Sequence, residues 1–113
     1  MLNLYFHDFL EFILIAKGYW IETVKIKTHE IKTYLETIEK WLPTVGGKIL
    51  IRDFESIQKE GSIGIGPLII VFRFSSKLAA ISAYESLEYQ KIIAMRAPFS
   101  KIQLSIVEGV KSQ

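Results

Sequence analysis

The chain has 113 residues, half of them hydrophobic and 23% charged, with no cysteine and a formal net charge of +2. This apolar share excludes a disordered chain, and the lack of cysteine excludes a disulfide scaffold and a cysteine-ligated zinc or iron–sulfur site. Lys and Arg are spread along the chain without a basic run, which disfavours nucleic acid as a partner because phosphate binding needs clustered positive charge.

The sequence divides into an apolar arm at 1–17 and a domain at 18–113. Residues 1–16, MLNLYFHDFLEFILIA, are apolar at twelve positions and carry Asp8 and Glu11 but no Lys or Arg. A signal peptide needs a positively charged start and a small-residue cleavage site, and neither is present. Two carboxylates interrupt a run already shorter than the roughly 20 apolar residues of a membrane-spanning helix. At 100° per residue, Asn3, His7, Asp8 and Glu11 share one arc of about 140°, so the segment is expected to lie, helical or extended, on an apolar surface of its own or a partner subunit. A membrane surface is the less favoured support, since such helices carry Lys and Arg on the polar face. His7, Asp8 and Glu11 do not make a full zinc ligand set and are read as a solvated face; no metal or cofactor is expected.

From Gly18 the pattern is regular. GYWIETVKIK at 18–27 is rich in aromatic and β-branched residues and reads as a strand. Thr28 is the expected N-cap of a helix with Ile31, Tyr34, Leu35, Ile38, Trp41 and Leu42 at helical spacing, ended by Pro43 and Gly46-Gly47. KILIRDF at 48–54 reads as the second strand. Residues 55–66 form a turn region with Gly61, Gly64 and Gly66; no Lys-Ser/Thr follows, so this is not a phosphate loop. LIIVFRF at 68–74 is nearly all apolar, as a central strand is. Ser75-Ser76 offers an N-cap, and Leu78, Ala79, Ala83 and Leu87 keep a helical rhythm. A second helical piece with Tyr89, Ile92, Ile93 and Arg96 follows Ser86, and Pro98 stops it. Residues 101–108 alternate as a fourth strand.

The order β-α-β-β-α-β is the ferredoxin-like arrangement, an α+β fold with a four-stranded antiparallel sheet and helices on one face. A sheet covered on one side normally shows polar residues on the other. Here both faces are apolar: Trp20, Val24 and Ile26 against Tyr19 and Ile21, and Ile49 and Ile51 against Leu50 and Phe54. The open face is therefore expected to pack on something, and a second copy of the same sheet is the economical partner.

Residues 18–110 resemble the family known as domain of unknown function 1330, small bacterial proteins of the dimeric α/β-barrel superfamily. GYWIETVKI at 18–26, GGKILIR at 46–52, EG at 60–61, FRFSS at 72–76, AYESLEYQ at 83–90, MR at 95–96 and IVEG at 106–109 carry the likeness in order and spacing. The arm at 1–16 is not part of the family pattern. The chain also has Arg73 where the family usually has an acidic residue, Ser75 where it has Pro, Leu68 near the place of a common Arg, and His29 near the place of a common Asp. A shared polar site built on those groups would be lost or rewired here. The resemblance implies a homodimer joined sheet to sheet, and it implies no established activity, so no catalytic residue is carried over.

The candidate pocket residues are His29, Arg52, Arg73, Tyr84, Tyr89 and Arg96. His29 titrates near neutrality and is a candidate base beside its plainer role as a polar residue at a helix start. Arg52 and Arg73 stand in strands dense with Ile, Leu, Val and Phe. Each needs a partner, either Glu22, Asp53 or Glu108 within the fold, or an anionic ligand taken by the planar guanidinium. Arg96 sits on the second helical piece with Tyr89 and can join either arrangement. Tyr84 and Tyr89 are core aromatics whose hydroxyls seek polar partners, or the lining of a small-molecule pocket. Two function classes follow: a homodimeric binding or structural module in the cytoplasm, with a small molecule as possible ligand, or a cofactor-free enzyme acting on a small aromatic or keto compound. Convergence of these side chains on one concave site separates them.

Overall fold

The computed structural model describes residues 15–25, 31–61, 68–96 and 101–111. The elements in chain order are β1 (Gly18–Lys25), α1 (Lys32–Trp41) with a 3₁₀ turn at Leu42–Val45, β2 (Lys48–Asp53), β3 (Leu68–Phe74), α2 (Lys77–Glu85), α3 (Leu87–Arg96) and β4 (Lys101–Glu108). The strands form one antiparallel sheet in the order β2-β3-β1-β4, which is the expected ferredoxin-like α+β fold. Thr28, His29, Gly64, Gly66, Pro98 and residues 1–14 lie outside the described residues, so the expected cap and all of the arm except 15–17 do too. The described start of α1 is Ile31, which is fully buried and whose carbonyl accepts from Leu35 N–H at 3.0 Å.

The split of the second helical stretch has a local cause. Ser76 is extended and its hydroxyl accepts from Ala79 N–H at 3.0 Å, which caps α2. Ser86 is extended again (ψ 148°) and its hydroxyl accepts from Tyr89 N–H at 3.2 Å, so the same device closes α2 and starts α3 at a new angle. At the end of the 3₁₀ turn, Gly46 takes φ +69°, where a side chain would be strained, and its N–H reaches back to Pro43. Gly18 is needed for space: a Cβ there would stand 2.2 Å from the Ser76 carbonyl oxygen. The start of β1 is thereby pressed against the start of α2.

Alternation along the strands sorts the two faces. Trp20, Glu22 and Val24 on β1, and Leu68, Ile70, Phe72 and Phe74 on β3, are buried under the helices. Ile102, Leu104 and Ile106 of β4 and Ile49 of β2 pack against the same core from its margins. Trp20 is the keystone: fully buried, it donates its indole N–H to the Ala80 carbonyl at 2.8 Å and so ties the sheet to α2. Tyr34, Leu35 and Ile38 bring the inner face of α1 onto this cluster.

One strand departs from simple alternation. Ile49 pairs with Phe72 and Ile51 with Val71, because the register shifts between Ile49 and Ile51. Alternation alone puts these two isoleucines on one face; the β-bulge puts Ile49 under the helices and Ile51 on the opposite face, half exposed. It also brings Arg52, opposite Ile70, to the helix side.

Candidate functional site

The polar residue in the buried register of β1 is Glu22. It lies between Trp20 and Val24 and has Ile70 and Leu104 as its strand neighbours, so the sheet offers it no polar partner through side chains. The helices supply them. Tyr34, on the inner face of α1, donates its hydroxyl to the Glu22 carboxylate, with oxygens at 3.0 and 3.3 Å. Tyr89, on α3, places its hydroxyl 3.1 Å from that of Tyr34. Arg96, in the last turn of α3, donates from Nη2 to the Tyr89 oxygen at 3.3 Å, holds Nε 3.9 Å from Glu22 Oε1, and lays its guanidinium 5.3 Å from the centre of the Tyr34 ring.

The proton order in this chain is forced when Glu22 is ionised. Arg96 only donates and a carboxylate only accepts, so Tyr89 donates to Tyr34 and Tyr34 to Glu22. Burial dominates the electrostatics. It pushes the Glu22 carboxyl from 4.5 to about 7, although the Arg96 charge and the Tyr34 hydrogen bond pull in the other direction. Burial also raises Tyr34 well above the usual phenol range, helped by the negative Glu22 and by Tyr89. Tyr89 is raised by burial and by Glu22. For Arg96, burial works against the charge, but Tyr89, Tyr34 and Glu22 outweigh it and hold the guanidinium above its ordinary value. Glu22 is therefore a group whose proton exchanges near neutrality, inside a hydrogen-bonded network whose member nearest to solvent is Arg96, with a tenth of its side chain exposed.

An aromatic wall backs the cluster. The Tyr89 ring stacks on Trp41 (centroids 5.4 Å, 28°) and packs against Trp20 at 4.7 Å and Tyr84 at 5.4 Å. Trp41 and Tyr84 are half-buried.

Of the residues expected to form a pocket, Tyr89 and Arg96 converge directly, and Tyr84 joins them by its ring. Arg52 and Arg73 do not. Arg52 is exposed and pairs with Glu39 of α1. Arg73 alternates with Phe72 and Phe74 and lies on the open face of the sheet, opposite Tyr19 and Lys48. His29 lies outside the described residues. Glu22 takes Arg96, not Arg52 or Arg73, as its charged partner. The sequence offers Glu22 only as an ion-pair partner of Arg52 or Arg73 and Tyr34 only as a residue at helical spacing in α1. The signal for Glu22 was its phase: a carboxylate two residues from Trp20 and two from Val24 must face the core.

A separate open cavity of about 250 Å³ lies at the β2 edge, lined by Glu39, Leu42, Pro43, Gly47, Lys48 and Ile49. Among the described residues there is no cluster of three or more His, Asp or Glu side chains able to hold a metal ion. No described helix is long and apolar enough to cross a membrane.

The sequence pattern of the family described as domain of unknown function (DUF1330) matches residues 17–110. The chain belongs to the DUF1330 family. No curated protein matches this DUF1330 chain in sequence. Among solved structures it is similar to a protein of unknown function from Rhodopseudomonas palustris, with a TM-score of 0.67 and 11% identity over 93% of each chain. It is also similar to a dimeric ferredoxin-like protein of unknown function from Thermobifida fusca (TM-score 0.55, 9% identity, 83% of this chain and 92% of that one). A third likeness is to a candidate antibiotic biosynthesis monooxygenase from Nitrosomonas europaea (TM-score 0.51, 11% identity, 83% of this chain and 89% of that one). At these identities the likenesses establish a shared fold.

Proposed function

We propose that this DUF1330 protein is a homodimeric α/β-barrel module, joined sheet against sheet, that binds a small molecule at the Glu22–Tyr34–Tyr89–Arg96 cluster. The observation that carries the assembly is the sheet face away from the helices. Tyr19, Ile21, Ile51, Ile69, Val71 and Val107 line it, with Ile21 38% and Ile51 49% exposed in the single chain. An apolar face of this kind is stabilised by covering it. A second copy supplies a matching face by symmetry, and the Thermobifida fusca protein of the same fold is described as dimeric. Sedimentation at micromolar concentration tests this reading: twice the chain mass is expected, and a monomer overturns it.

The ligand half rests on the cluster. A carboxyl fully buried on an inner strand costs stability whenever it is charged, and leucine or valine would fill the position without that cost. Buried groups with proton affinities moved toward neutrality cluster at functional sites. Thermal unfolding in the presence of a metabolite panel reads it out. A stabilising compound whose effect disappears in Arg96→Met supports a site, and clear loss of stability in that variant with no stabilising compound for the parent favours a purely structural dimer.

A second reading has one observation in its favour. A carboxyl that exchanges its proton at about pH 7 is matched to general acid–base work at neutral pH. A cofactor-free enzyme acting on a small aromatic or keto compound would use Glu22 as its base. Turnover abolished by Glu22→Gln while ligand binding survives distinguishes this from binding alone.

A further inference from the structure

The Glu22 cluster is already a carboxylate-binding site, filled by the chain's own carboxylate. A guanidinium and two phenol hydroxyls are arranged around one carboxyl, and the guanidinium approaches it at 3.9 Å through Nε. The charged and titratable groups that face Glu22 from the described elements are Tyr34 on α1 and Tyr89 and Arg96 on α3; the strands on either side present Ile70 and Leu104. Among the described residues, one positive charge therefore serves this buried space. It balances one carboxylate well and two badly, because a second uncompensated charge in a desolvated site is costly.

We propose that Arg96 and Tyr89 bind a small organic carboxylate, and that Glu22 gives way to it by taking up a proton. The inference rests on the small-molecule reading of this cluster and names its ligand class. Arg96 is the recognition group: it is the least buried member, with a tenth of its side chain exposed, and its planar fork suits a carboxylate. Glu22 is a positioning residue that sets the charge of the site. The balance is simple. Before binding the site holds Arg96 as a cation and Glu22 as an anion. Afterwards it holds Arg96 as a cation, the ligand carboxylate as an anion and Glu22 as a neutral acid, the proton having come from solvent. Protonated Glu22 then becomes a donor, and the Tyr34 and Tyr89 hydroxyls are free to turn toward the incoming oxygens. The half-buried rings of Trp41 and Tyr84 beside Tyr89 favour a carboxylate on a flat apolar body.

Calorimetric titration of the full chain with benzoate at pH 6 and pH 8, in Tris and in HEPES, tests this, because buffers with different heats of ionisation count the protons taken up. With Glu22 exchanging its proton at about pH 7, affinity is expected to fall about tenfold from pH 6 to pH 8, with about 0.9 proton taken up per benzoate at pH 8 and about 0.1 at pH 6. Glu22→Gln is expected to bind equally at both pH values without proton uptake, and Arg96→Met to lose binding, with thermal unfolding confirming that each is folded. Benzamide is titrated in parallel. Benzoate binding that is independent of pH, or benzamide binding as tightly as benzoate, overturns the inference and leaves the small-molecule reading standing. Failure of both compounds to bind the parent and Glu22→Gln at millimolar concentration overturns the inference and the small-molecule reading together.

Discussion

Replacing Glu22 by Gln should stabilise the protein above pH 7 and do little near pH 5. The folded chain holds the Glu22 proton to about pH 7, whereas the unfolded chain releases it near 4.5. Because the folded value is raised, the group's contribution to stability is complete below pH 4.5 and is lost as pH rises through 7. A difference of about 2.5 units corresponds to about 3 kcal/mol, lost at up to about 1.4 kcal/mol per pH unit between those limits. Domains of this size are stable by about 5–15 kcal/mol, so the loss is a substantial part of the total. Gln keeps an acceptor for the Tyr34 hydroxyl and removes the buried charge. The assay is guanidinium unfolding of the two proteins at fixed concentration from pH 5 to pH 8.5, with the difference between them plotted against pH, so that other titrating groups cancel. The difference is expected to be small at pH 5 and to grow to about 3 kcal/mol in favour of Glu22→Gln by pH 8. A difference that stays flat across this range, or that favours the parent increasingly as pH rises, refutes the reasoning that burial dominates at Glu22.

Other substitutions separate the parts of the structure. Arg96→Met removes the cation that favours ionised Glu22, so the carboxyl keeps its proton to higher pH; the variant should lose more stability at pH 8 than at pH 5, by up to about 1.4 kcal/mol, and the same unfolding series measures it. Arg52→Ala removes an exposed pair with Glu39 and should change stability by less than about 1 kcal/mol, with no effect on ligand binding. Trp20→Ala should cost about 3–5 kcal/mol, since it empties the centre of the core and leaves the Ala80 carbonyl without its donor. Val71→Asp on the open sheet face should leave the folded subunit intact by circular dichroism yet shift sedimentation to the monomer.

The order of elements was legible because each carries its own local code. Period-two runs mark the strands, the Ile31-to-Leu42 spacing marks α1, and Ser76 and Ser86 mark two separate helix starts by the hydrogen bonds that their hydroxyls make. The geometry of the edge strand was not legible. Alternation assumes an unbroken ladder, and the bulge in β2 is a property of its pairing with β3, so the placement of Ile51 and the pairing of Arg52 with Glu39 emerge only in three dimensions. The candidate site was half legible for the same reason. Tyr89 and Arg96 share one helix and were grouped by spacing. Glu22 and Tyr34 come from a different strand and helix, and only the packing of α1 and α3 on β1 brings the four together. Arg73 was not separable from the core by its sequence neighbours. It stands among apolar residues in the chain, and only the register places it on the open face of the sheet, away from Glu22.

The most direct test of the account is a carbon-13 nuclear magnetic resonance titration of the glutamate side-chain carboxyls in the full chain, with Glu22→Gln to assign the resonance of interest. One carboxyl resonance, absent in Glu22→Gln, is expected to titrate at about pH 7 and to move higher in Arg96→Met. A Glu22 carboxyl that titrates near 4.5 and ignores the loss of Arg96 would contradict it.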